Sequence, residues 1–121
     1  MALAIRSNKI WVAKYPVDFR KSIDGLCASL AEHGQIPVKE YLFLFYNTQR
    51  NRLKMLVWHH NGFMLIYKRL EKGRFPFVFS KERDHVILEE KQLQGLLLGL
   101  DWQTITTWEG INFENYYEVY R

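Results

Sequence analysis

The sequence predicts an α+β fold, a curved antiparallel sheet with two helices packed on it, and three observations predict it. Short apolar runs with strand periodicity crowd the middle of the chain. Two segments with helical spacing of apolar residues flank them. The connections between the central strands are too short for anything but antiparallel hairpins. The chain has 121 residues, 48% hydrophobic and 16% aromatic, enough apolar material for one core. Residues 1–121 are therefore read as a single domain.

Lys9 to Lys14 alternates apolar and polar residues and reads as a short strand, broken by Tyr15 and Pro16. Asp18 has the chemistry of a helix N-cap, and Phe19, Ile23, Leu26, Cys27 and Leu30 follow as one apolar stripe. The spacing predicts a helix from Phe19 to His33, with Arg20 and Asp24 paired on its outer side and Gly34 as its stop. Gly25 within it points to close packing. Gln35 to Glu40 is a connector containing Pro37.

Tyr41 to Tyr46 is apolar on both faces, the pattern of a central strand. After a polar turn at Asn47 to Asn51, Arg52 to His59 places Leu53, Met55 and Val57 on one face. Arg52, Lys54, Leu56 and Trp58 fall on the other. His60, Asn61 and Gly62 form a tight turn into a strand ending at Arg69. Glu71 to Arg74 is a turn around Gly73, and Phe75 to Phe79 reads as an edge strand because of Pro76. Ser80 to Asp84 is a charged turn, and His85 to Leu88 a last short strand. Glu89 to Leu100 is a second helix, with Leu93, Leu96, Leu97 and Leu100 on one face and acids in its first turn. The acidic, aromatic tail at 103–121 is left without an assigned structure.

A single cysteine, Cys27, excludes an intramolecular disulfide and multi-cysteine zinc sites. It sits on the apolar stripe and reads as a packed thiol. No apolar run reaches the roughly 18 residues of a membrane helix, and the N-terminus lacks the pattern of a signal peptide. The expectation is a cytoplasmic protein without membrane contact. His59 and His60, as neighbours on a strand, would face opposite sides, so no metal site is assigned. The carboxylates form no converging set, so neither catalytic residues nor cofactors are assigned, and the chain is expected not to be an enzyme.

Net charge is +4 at neutral pH, but its placement is uneven. Arg50, Arg52, Lys54, Lys68, Arg69, Lys72 and Arg74 lie within one segment that contains a single acid, Glu71. A concentrated basic surface attracts a polyanion, and interleaved aromatics such as Trp58 and Tyr67 can stack on bases. These nine residues are the candidate nucleic-acid-binding set. Arg20 and Lys21 are a secondary candidate that would extend the surface.

Several stretches together resemble a known family. They include Pro16-Val17-Asp18-Phe19-Arg20-Lys21 followed by Ile23-Asp24-Gly25-Leu26. A second block is Tyr67-Lys68-Arg69-Leu70-Glu71-Lys72-Gly73-Arg74-Phe75, and a third is Gly99-Leu100-Asp101-Trp102. From about Ile5 to Trp102 the chain resembles the TnpB-type accessory protein of insertion sequence 66 elements. The resemblance implies a bacterial accessory protein needed for transposition beside a separate transposase. Taken with the basic segment, it yields an expected function: a non-catalytic helper that holds nucleic acid, with DNA expected, and meets the transposase and other proteins of the element. The alternative is an assembly factor that binds an acidic protein surface and never touches DNA.

Overall fold

A computed structural model describes residues 9–38, 41–76 and 85–99. Its elements run β1 (Lys9–Ala13), α1 (Ile23–Glu32), β2 (Tyr41–Tyr46), β3 (Arg52–His59), β4 (Gly62–Arg69), β5 (His85–Leu88) and α2 (Glu90–Leu97). The five strands form one sheet in the order β4-β3-β2-β1-β5. The α+β class is as expected, but the sheet is mixed. β1 and β2 pair in parallel, Ile10 opposite Leu42, and the remaining pairs are antiparallel. The α1 segment separates β1 from β2 in the chain and gives it room to return in the same direction.

Each face of the sheet carries its own core. Trp11, Phe43, Phe45 and Leu56 pack with Leu26 and Leu30 of α1. Ile10, Val12, Leu44, Leu53 and Met55 pack on the opposite face with Leu96 of α2. The period-two alternation of the strands assigns these residues to the two faces, and a helix covers each. Full burial of a leucine such as Leu26 or Leu30 contributes about 1.5–3 kcal/mol.

The first helix is shorter than its apolar stripe predicts. It starts at Ile23 with Ser22 as N-cap, not at Phe19 with Asp18 as cap. The reason is tertiary. The 19–21 segment is turned toward β3, where the carbonyls of Phe19 and Lys21 both accept from the Lys54 ammonium. Asp18 accepts from the backbone N–H of Arg20 at 3.0 Å, and Arg20 pairs with Asp18 rather than with Asp24. A Cβ at Gly25 would lie 3.1 Å from the Lys21 Cβ, so this segment does pack closely on the helix. The helix ends where expected, with Gly34 at φ 72.

α2 begins with a reciprocal cap. The Glu89 side chain accepts from the backbone of Gln92, and the Gln92 side chain accepts from the Glu89 N–H at 2.9 Å. The β3–β4 loop is His60–Asn61, with Gly62 already paired to His59. Phe75 is buried and its N–H donates to the Arg50 carbonyl, while Phe75 and Pro76 are not in a strand. The rest of the expected edge strand, the charged turn, Leu100 and the 103–121 tail lie outside the described residues.

Candidate nucleic-acid interface

The strand directions bring distant basic residues to one end of the sheet. β1 and β2 both finish there, β3 starts there at Arg52, and β4 finishes there at Arg69. The segment between β1 and α1 is drawn across this end. The Val17 N–H donates to the Tyr46 carbonyl at 2.9 Å, and the Tyr46 hydroxyl donates to the Lys14 carbonyl. Burial pushes the Tyr46 hydroxyl up to about 12, so it remains a donor at neutral pH.

The turn between β2 and β3 is organised by Asn47, a buried side chain. Its Oδ1 accepts from the N–H groups of Asn51 and Arg52, both at 3.0 Å, and its Nδ2 donates to Asn51 Oδ1. This arrangement holds Arg50 at φ 59, a left-handed conformation unusual for a residue with a Cβ. The segment after β4 is tied alongside. Leu70 N–H donates to the Asn51 carbonyl at 2.7 Å and Phe75 N–H to the Arg50 carbonyl at 2.6 Å. Lys72 and Arg74 are thereby placed beside Arg50 and Arg52, and all four are exposed.

The candidate residues differ in what surrounds them. Arg50, Arg52, Lys72 and Arg74 are exposed at the basic end, with no ion pair between them and an acid among the described residues. Arg69 is exposed beside them but turns to Glu71 at 2.9 Å, and Arg20 is held by Asp18 at 2.6 Å. The Arg20 guanidinium lowers the Asp18 carboxyl to about 2. These two arginines carry a local counter-charge, so they add less long-range field than a bare cation. Lys21 is exposed next to them, and its ammonium donates to Ser29 Oγ at 2.8 Å.

Lys54 and Lys68 do not belong to an open basic strip. Lys54 is buried on the α1 face, its ammonium 2.8 Å from two carbonyls and 4.8 Å from the Phe19 ring centre. Lys68 lies on the α2 face, opposite Leu53, and donates to the Leu97 carbonyl at 2.6 Å. It supplies the last turn of α2 with the cation that the helix itself lacks. Burial lowers the pKa of both lysines. Period-two alternation separates Lys68 from Arg69, and it takes the covering loop to bury Lys54.

The aromatics also separate. Tyr67 faces the same side as Arg52 and Arg69, is 49% exposed, and meets Phe19 edge-on at 6.0 Å. Trp58 lies at the other end of β3, against Phe63 at 5.0 Å. Six residues of strand put it roughly 20 Å from Arg52. Asn47 is the residue that the basic-segment reading missed. An asparagine at the head of a polar turn is its sequence signal.

No helix of the described residues is long and apolar enough to cross a membrane. Among the described residues no three His, Cys, Asp or Glu side chains are placed to hold a metal ion.

The molecule is thus a small α+β protein with a concentrated basic end. The chain belongs to the IS66 Orf2-like family, whose pattern matches residues 8–107, and is a transposition-associated accessory protein. Two relatives come from Sinorhizobium fredii (strain NBRC 101917 / NGR234). The uncharacterized protein y4jC is 35% identical over 102 residues, covering 83% of this chain and 86% of its own. The uncharacterized protein y4hO is 30% identical over 96 residues, covering 78% and 83%. No solved structure matches the chain.

Proposed function

We propose that the chain works as one domain that holds DNA at the basic end of its sheet while assisting a separate transposase in the cytoplasm. The observation that carries this reading is the convergence of Arg50, Arg52, Lys72 and Arg74. Backbone hydrogen bonds between the 50–51 and 70–75 segments bring them together from two turns. Four exposed cations on one rim suit a phosphate backbone, and Tyr67 offers a ring face nearby. Lys21 extends the rim, with Arg20 and Arg69 as hydrogen-bonding groups of smaller net field. Lys54 and Lys68 support the scaffold and leave the binding set, as does Trp58.

The same convergence supports contact with the backbone rather than sequence readout. The residues project from a sheet end and two turns, without a helix that presents side chains to a groove. Four phosphate contacts on duplex DNA give a log–log salt slope of about −3.6. The test is a salt-titrated binding assay comparing the chain with a variant carrying serine at Arg50, Arg52, Lys72 and Arg74. The expected result is a loss of affinity together with a flattened slope. A folded variant that binds DNA as tightly as the parent, with the same slope, overturns the reading.

A further inference from the structure

Next to the basic end, a cleft of about 230 Å³ opens between the 14–18 segment and α1. Trp11 and Phe45 contribute from the sheet, Leu30 and His33 from the helix side, and Lys14 and Lys21 from the crossing segment. The cleft shares Pro16, Val17 and Asp18 with the depression that contains Arg52, so the two border on the same segment.

The lining is chemically mixed. Trp11 is 1% exposed, and its indole N–H has no hydrogen-bond partner among the described residues, an uncommon state for a buried donor. His33 Nδ1 lies 2.8 Å from the Ser29 carbonyl. A carbonyl only accepts, so Nδ1 is the donor in this contact. Two ammonium groups stand at the cleft, but so do the carboxylates of Asp18 and Glu32. A simple anion is poorly matched by that mixture. A nucleotide, with a heterocycle bearing donors and acceptors and one phosphate, matches it better. The volume suits one planar ring system and falls below the range of larger ligands. Tyr15, 63% exposed at the mouth, offers a face for stacking.

We infer that this cleft receives a single unpaired nucleotide of the DNA whose backbone lies on the basic end. The inference rests on the proposed DNA-binding role. The phosphate side faces Lys14 and Lys21, and the base enters toward Trp11. The Trp11 N–H is closed off at present. The Trp11 ring is stacked on His85 at 5.3 Å and meets His33 edge-on at 6.2 Å, and a neighbour must move for an acceptor to reach the indole.

The test uses the full ¹⁵N-labelled chain. The indole N–H signal of Trp11 is assigned from its loss in Trp11→Phe, or by triple-resonance spectra should that variant not fold. The chain is titrated with a blunt duplex, with the same duplex bearing a short single-stranded extension, and with inorganic phosphate. The expected result is a shift of the Trp11 signal with the extended duplex alone, and affinity for it at least about 5-fold higher than for the blunt one. Trp11→Phe reduces that preference. A motionless Trp11 signal at saturation, with shifts at Arg50 to Arg52, overturns the cleft and preserves the basic end. An equal response to inorganic phosphate overturns the nucleotide assignment. Absence of binding to either duplex overturns both readings.

Discussion

The Lys54 ammonium lies 2.8 Å from the carbonyl oxygen of Phe19, a residue 35 positions earlier in the chain, and equally close to that of Lys21. A cation from the third strand thus pins the segment that crosses the basic end. The contact fixes where α1 starts and brings Arg20 and Lys21 to the rim that carries Arg52. Lys54→Met keeps the apolar stem and removes the donor, leaving two carbonyls unsatisfied. The expected loss of stability is about 1–3 kcal/mol in denaturant unfolding. DNA affinity of the folded variant should change by less than about 3-fold, since this charge lies inside. A larger drop in affinity than that of Arg52→Ser would return Lys54 to the binding set.

Asp18 and Arg20 form a closed local unit at the same rim. The hydrogen bonds of Arg20 bring the carboxyl from its ordinary 3.8 to about 2. A depressed carboxyl pKa stabilises the folded state above its unfolded value, and that contribution disappears as pH falls through the folded value. The window is therefore 3.8 down to about 2. In a ¹³C-detected titration Asp18 should remain ionised until the pH approaches about 2. Arg20→Gln should move it back toward the ordinary value. No movement would mean that the guanidinium is not the cause.

Trp58 separates packing from binding. It meets Phe63 edge-on at 5.0 Å at the end of the hairpin away from Arg52. Trp58→Ala is expected to lower stability by about 1–2 kcal/mol through the lost aromatic pair and buried area. DNA affinity should stay within about 2-fold. A strong loss of binding by a variant that melts normally would place nucleic acid at the hairpin tip instead.

Much of this architecture is legible before any coordinates. The alternation in Arg52 to His59 sorts Leu53, Met55 and Val57 from Leu56 as the two cores require. The acids Glu89 and Glu90 mark the start of α2, although the reciprocal cap between Glu89 and Gln92 emerges only in the structure. The parallel pairing of β1 with β2 is not legible, because periodicity describes a strand's faces and not its neighbours. The fate of Lys54 is hidden for a similar reason. A strand pattern reports which face a lysine takes, while its burial depends on a loop more than thirty residues away. In the same loop Phe19 stays outside the helix, which starts only at Ile23. Charge counting found the basic segment, but not the separation of Lys68 from Arg69.

Two arginines at that end depart from the choice that stability alone favours, and both departures are measurable. Arg50 holds φ 59, where a residue with a Cβ is disfavoured by about 1–2 kcal/mol. Glycine adopts this conformation freely but loses about 0.5–1 kcal/mol more backbone entropy on folding. Arg50→Gly should therefore be neutral to stabilising, by up to about 1.5 kcal/mol. Arg52 stands directly across the ladder from Arg69, a like-charge pair whose relief by Arg52→Thr is expected to contribute about 0.2–1 kcal/mol. Each substitution should also weaken DNA binding and flatten the log–log salt slope by about 0.9, the signature of one lost phosphate contact. A gain in stability with loss of binding is what a rim selected for an anionic partner requires. If both variants gain stability and bind DNA as before, the charges at this end serve some partner other than a phosphate backbone.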